Sequence, residues 1–146
     1  YNFGAKLYGR VNKVLRLTII YATAVTTFGF LVGMLVPDLV VGIFTSDAEL
    51  TELSVTGLRI TVMFFPIIGF QMVTSNFFQS IGMAGKAIFL SLTRQMLILL
   101  PCLLVLPQFF GVAGVWYSMP VSDLLASLIA LVMLVCQFRK FRTSPL

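Results

Sequence analysis

From Leu17 to Val36 the chain runs for twenty residues without a charge, and Pro37-Asp38 ends the run abruptly. At about 1.5 Å per residue, a helix of that length crosses the roughly 30 Å hydrocarbon core of a bilayer. Inside that core each backbone polar group must be satisfied within the protein, and a helix does this with its own residues. Three further apolar segments of spanning length follow, at about 58–81, 90–110 and 115–136. With 59% hydrophobic and 10% charged residues and a mean hydropathy of +1.03, the chain carries more apolar surface than a water-soluble domain of its size can bury. The expected fold is all-α and integral to the membrane, with four transmembrane helices and the lipid bilayer as their solvent.

The basic residues give the orientation. Lys6, Arg10, Lys13 and Arg16 precede the first span, Lys86 and Arg94 accompany the start of the third, and Arg139, Lys140 and Arg142 follow the fourth. Only Arg59 lies on the other side, together with Asp38, Asp47, Glu49 and Glu52. Such a partition between alternating loops follows the positive-inside rule and puts both ends in the cytoplasm. Arg94 interrupts the third apolar run and is expected at the cytoplasmic boundary, its charge snorkelling to water. Leu39 to Phe44 is too short to cross, and Thr45-Ser46-Asp47 reads as the N-cap of a polar helical turn at the interface, carrying Glu49 and Glu52. In a soluble protein a net charge of +5 would raise nucleic-acid binding. Here the excess belongs to cytoplasmic loops, and no nucleic-acid partner is expected. The chain begins at Tyr1, in a run that reads as the middle of a loop, so it is expected to be a fragment of something longer.

The absence of histidine excludes Ser-His-Asp triads, histidine zinc sites and histidine-ligated haem. Cys102 and Cys136 fall in separate apolar segments and read as small packing residues rather than a disulfide. A P-loop is missing, and an intramembrane aspartyl protease needs two facing aspartates where only one lies deep in a span. No catalytic residue, enzymatic activity, bound metal or cofactor is expected. Energy for any transport comes from an ion gradient or a partner.

Polar atoms inside the spans are the candidates for function. Thr18, Ala22, Thr26, Gly29 and Gly33 form a small-residue stripe on the first span that lets another helix approach closely. On the second, Gln71, Thr74, Ser75, Phe78 and Gln79 gather on one side with Asn76 just beyond. Lipid penalises such a stripe, so it faces protein or a water-filled cavity, as interhelical glue or as the lining of a site for amphiphilic or cationic molecules. Pro66 and Pro101 each remove a backbone donor and favour kinks. Asp123 sits well inside the fourth span beside Met119, Ala126, Ser127 and Ala130, with Ser118 and Ser122 near enough to cap it or the backbone freed by Pro120. A carboxylate there must be protonated, paired, hydrated or ion-bound. Two readings stand: a structural carboxylate, or one that couples to a proton or cation.

Several stretches resemble one transporter family in order along the chain. Tyr1-Asn-Phe-Gly-Ala resembles the loop after the eighth helix of the multidrug and toxic compound extrusion (MATE) family, and Pro37-Asp38 through Ile43-Phe44-Thr45-Ser46-Asp47 its loop between helices nine and ten. Phe77-Phe78-Gln79-Ser80-Ile81-Gly82, Leu92-Thr93-Arg94-Gln95, and Gly111-Val-Ala-Gly114-Val-Trp116 through Pro120-Val-Ser-Asp123 resemble later stretches. The resemblance implies the last four of twelve helices, part of the C-terminal lobe of a two-lobed bundle in the bacterial inner membrane, with the remaining eight helices as partner. It implies export of organic cations or drugs by exchange for sodium ions or protons, with alternating access about a central cavity. The region around Phe70-Gln71 lacks the acidic ligand of the sodium-coupled branch and is closer to the DinF-type branch, which places coupling on a first-helix aspartate. Asp123 then braces the lobe or takes part in coupling. Two alternatives remain: a lipid-linked glycan flippase of the same superfamily, whose cationic cavity lining is missing here, and a four-helix accessory subunit. On the transporter reading, four helices alone cannot enclose the cavity, and this chain by itself is expected to be inactive.

Overall fold

The computed structural model describes residues 1–143 in backbone and residues 1–141 in side chain; Arg142, one of the basic residues counted above, lies outside the described side chains. The fold is all-α. In chain order, α1 covers Tyr8–Leu35, α2 Pro37–Gly42, α3 Ala48–Val62, α4 Phe65–Ser80 and α5 Ala84–Leu92, followed by a π-helical stretch at Thr93–Leu99, α6 at Leu100–Phe110 and α7 at Val112–Thr143. Among the described residues, three uninterrupted helical lengths are long and apolar enough to cross a membrane: Tyr8–Leu35, Ala84–Phe110 and the Val112–Phe141 part of α7. A bent pair, Ala48–Val62 with Phe65–Ser80, reaches the same length and apolarity when its two helices are taken together.

The helices extend beyond the apolar runs. α1 starts nine residues before Leu17, because Arg10, Lys13 and Arg16 stay exposed while Val11 and Leu15, one turn apart, are buried. The third helix starts at Ala84 rather than near 90. Lys86 does not end it: its ammonium lies 5.2 Å from the centre of the Phe78 ring and donates to Gln137 Oε1, so the charge is accommodated in the first turn.

The expected second span is two helices. Asp47 caps α3, its Oδ1 accepting from the Leu50 amide at 3.0 Å, and the helix continues from the acidic turn of Glu49 and Glu52 to Val62. The polar turn is therefore the first turn of α3. α3 and α4 meet at 50° across Met63-Phe64. Pro66, in the first turn of α4, has no N–H to give the Val62 carbonyl, and its ring would crowd that carbonyl in a continuous helix.

α4 is central, packing on α1, α5 and α7, while α7 also packs on α3, the π-helical stretch and α6. The small-residue stripe of α1 faces this crossing. A Cβ on Gly69 of α4 would stand 2.9 Å from the Ala22 carbonyl oxygen and 2.8 Å from Thr26 Oγ1, and one on Gly33 would stand 3.0 Å from Val62. Small residues are needed where the backbones come this close. Gly111, with φ +59°, turns α6 back into α7.

The main buried cluster joins Val11 and Leu15 of α1, Phe77 and Phe78 of α4, Ala87 and Leu90 of α5, and Ala130 and Leu134 of α7. Beside it Phe141 stacks on Tyr8 at 5.2 Å and lies 5.7 Å from Phe3. The segments around Phe3 and Phe141 therefore lie at one end of the bundle, together with Lys86.

Candidate functional site

α7 runs unbroken through Pro120 and buries a polar face made of Ser118, Ser122, Asp123 and Ser127. Residues 118, 122 and 126 repeat at one-turn spacing, as do 123, 127 and 130, so these side chains point into the bundle. Opposite them the backbone widens into the π-helical stretch, and Pro101, just beyond it, cannot donate to the Leu97 carbonyl.

Two consecutive residues of α7 grip one residue of that stretch. Ser122 Oγ donates to the Arg94 carbonyl oxygen at 3.0 Å. Asp123 Oδ1 accepts from Arg94 Nε at 2.8 Å and from Arg94 Nη2 at 2.8 Å. Of the four states open to a deep carboxylate, Asp123 is thus in the paired one. Its side chain is 5% exposed and that of Arg94 29%, so the guanidinium stands between the carboxylate and the outside.

That outside is a polar groove between α4 and the α5 to π-helical segment, about 200 Å³ in volume, lined by Gln71, Ser75, Asn76, Ser91, Arg94 and Gln95 with Met72. Ser75 and Ser91 tie its walls together, their hydroxyls 3.3 Å apart, and Ser75 Oγ also donates to the Ala87 carbonyl at 3.3 Å. Gln79 lies on the adjoining surface with Asn76, Ser75 and Ser91. The groove offers amides, hydroxyls and one guanidinium, a set suited to orienting a polar group of a ligand rather than to bond chemistry. Among the described residues, no three His, Cys, Asp or Glu side chains converge to hold a metal ion.

The polar stripe of α4 therefore divides. Gln71, Ser75 and Asn76 line the groove and Gln79 extends it. Thr74 and Phe78 do not reach it, since both are fully buried: Thr74 Oγ1 donates back to the Phe70 carbonyl at 2.8 Å, and Phe78 belongs to the aromatic core against Phe77 and Lys86. Arg94, expected to snorkel alone, has a partner. It lies within the Ala84–Phe110 helix with its guanidinium paired to Asp123. Ser91 and Gln95 were missed as site residues. Their spacing from Arg94, three residues before and one after, puts all three on one helical face, a signal present in the sequence.

With this geometry in place, the relatives become informative. Residues 1–105, well over half of the chain, match the family described as MatE. The chain belongs to the MatE family. Its likeness to individual members extends further. The chain is similar to the multidrug export protein MepA of Staphylococcus aureus, 24% identical over 131 residues to that of strain MSSA476 and 23% to that of strain bovine RF122 / ET3-1, each match covering 90% of this chain and 29% of the relative. It superimposes on the solved structure of the MATE multidrug transporter DinF-BH with a TM-score of 0.90 and 34% identity, covering 99% of this chain and 32% of that one. This MatE chain spans less than a third of the length of these relatives. The superposition includes α7 and hence the Arg94 and Asp123 pair, which the family match at residues 1–105 covers only in part.

Proposed function

We propose that this MatE chain works as part of a multidrug exporter in the bacterial plasma membrane, contributing to one lobe and to the lining of a central cavity through which organic cations and amphiphilic drugs leave the cell. The observation that carries this reading is the superposition of 99% of the chain on a MATE multidrug transporter at 34% identity. Export runs by exchange for sodium ions or protons, with alternating access as the lobes rock. The broken helix at Met63-Phe64 and the π-helical stretch before Pro101 supply bending points in two adjacent crossings. The groove of Gln71, Ser75, Asn76, Ser91 and Gln95, extended by Gln79, contributes hydrogen-bonding groups to the cavity. Asp123 is a bracing carboxylate: its Oδ1 is taken up by Arg94, so the coupling ion is handled by other residues of the longer assembly.

The end of the bundle holding Lys6, Arg10, Lys13, Lys86, Arg139 and Lys140 is cytoplasmic. The chain carries transport rather than catalysis, and by itself it does not transport, because four crossings do not enclose a cavity. The test is ethidium efflux from vesicles holding the full-length protein, driven in turn by a sodium and a proton gradient. Efflux under at least one gradient, abolished when that gradient is collapsed, is expected. No gradient-dependent efflux of ethidium or of a second cationic drug would overturn the reading.

A further inference from the structure

Among the described residues that line the groove between α4 and the π-helical stretch, Arg94 is the only charged one; Gln71, Met72, Ser75, Asn76, Ser91 and Gln95 are all uncharged. A guanidinium keeps its charge under all physiological conditions, and a bare one here would repel cations at close range. The fold places a carboxylate directly behind it. Asp123 Oδ1 takes both Nε and Nη2 of Arg94 at 2.8 Å, and Ser122, the preceding residue on the same helix, holds the Arg94 carbonyl at 3.0 Å. Backbone and side chain of Arg94 are thus fixed by adjacent residues of α7. The exposures fall in the matching order, with Arg94 partly open and Asp123 nearly sealed. A ligand in the groove meets the guanidinium edge and feels the carboxylate only through it.

We infer that Asp123 is a charge mask for Arg94, and that this masked pair is a specificity determinant: it lets a polar groove keep a guanidinium donor while remaining open to cationic ligands and unattractive to organic anions. Asp123 is a positioning residue on this account and does not touch the ligand. The inference rests on the drug-export reading for its ligand class. It differs from a coupling role for Asp123 in one respect that can be measured: loss of a mask is compensated when Arg94 is removed as well, whereas loss of a coupling carboxylate is not.

The test uses the full-length protein, purified and reconstituted, as wild type, Asp123→Asn, Arg94→Gln and the double variant Arg94→Gln/Asp123→Asn. Ethidium serves as the cationic probe and carboxyfluorescein as the anionic one. Binding is read by fluorescence anisotropy and efflux in the same liposomes. Unmasking one positive charge beside the groove is expected to weaken ethidium binding by about tenfold or more in Asp123→Asn and to strengthen carboxyfluorescein binding. The double variant, neutral again, regains ethidium binding to within about threefold of wild type.

Ethidium affinity unchanged in Asp123→Asn, or a double variant as weak as that single one, overturns the mask. Should Asp123→Asn fail to fold, Arg94→Gln and the double variant decide: the mask requires Arg94→Gln to bind ethidium more tightly than the double, and equal affinities overturn it. Wild type that binds ethidium but exports it under no gradient sinks the export reading and leaves the binding series to judge the mask. Wild type that binds neither probe overturns both.

Discussion

At the scale of single residues, the pair of serines on α7 separates hydrogen bonds that matter from hydroxyls that do not. Ser122 Oγ holds the Arg94 carbonyl. Ser127 Oγ, one turn beyond Asp123 and equally buried, has no hydrogen-bond partner among the described residues. Ser122→Ala is therefore expected to destabilise the full-length protein by about 1–2 kcal/mol, while Ser127→Ala, which removes an unsatisfied hydroxyl, is neutral or slightly stabilising. Thermal midpoints in one detergent compare them, and equal losses would contradict the account. Asp123 and Arg94 each stood out in the sequence as a charge inside an apolar run. That they are partners did not, because they are 29 residues apart and their meeting depends on how the π-helical stretch packs on α7. Thr74 and Phe78 were misplaced for a related reason. Helical spacing tells which residues share a face, but α4 is covered by three neighbours, and the spacing does not say which sectors of its surface they occupy.

At the scale of elements, apolar length was enough to expect four crossings, while their ends and breaks were less visible. Charged residues in first turns stay at water or find a ring, as Lys86 does over Phe78, so the helices outrun their apolar runs. Pro66 was visible as a kink, and the structure adds that the bend separates α3 from α4 and that the acidic turn opens α3. The π-helical stretch at Thr93–Leu99, which packs on α7, was not legible beyond the donor that Pro101 removes. The small-residue stripe of α1 was legible because close approach leaves a compositional trace. Its consequence is testable on the opposing helix. Gly69→Ala places a methyl group 2.9 Å from the Ala22 carbonyl oxygen and is expected to cost about 1–3 kcal/mol. Gly85→Ala, in a helical position with nothing within 4 Å, is expected to cost nothing and to gain up to about 1 kcal/mol. Thermal midpoints of the two variants check the difference; a Gly69→Ala protein as stable as Gly85→Ala would mean the α1 to α4 contact is looser than described.

At the scale of the whole molecule, the Tyr8 and Phe141 stack and the contact of Lys86 with Phe78 and Gln137 bring the basic segments to one end of the bundle, which the positive-inside rule assigns to the cytoplasm. Single cysteines at Lys13 and Lys140, in a background where Cys102 and Cys136 are replaced, are expected to react with an impermeant maleimide only from the cytoplasmic side, and one at Glu49 only from the outside. Labelling of Glu49→Cys and Lys140→Cys from the same side would contradict the topology. The function proposed for this bundle depends on a larger enclosure than four crossings provide. The most direct measurement is ethidium efflux, under whichever of the sodium and proton gradients supports it, from vesicles carrying either the full-length protein or residues 1–146 alone at matched expression. The account predicts gradient-driven efflux from the first and none from the second; no efflux from the full-length protein under either gradient, or efflux from residues 1–146 alone, would contradict it.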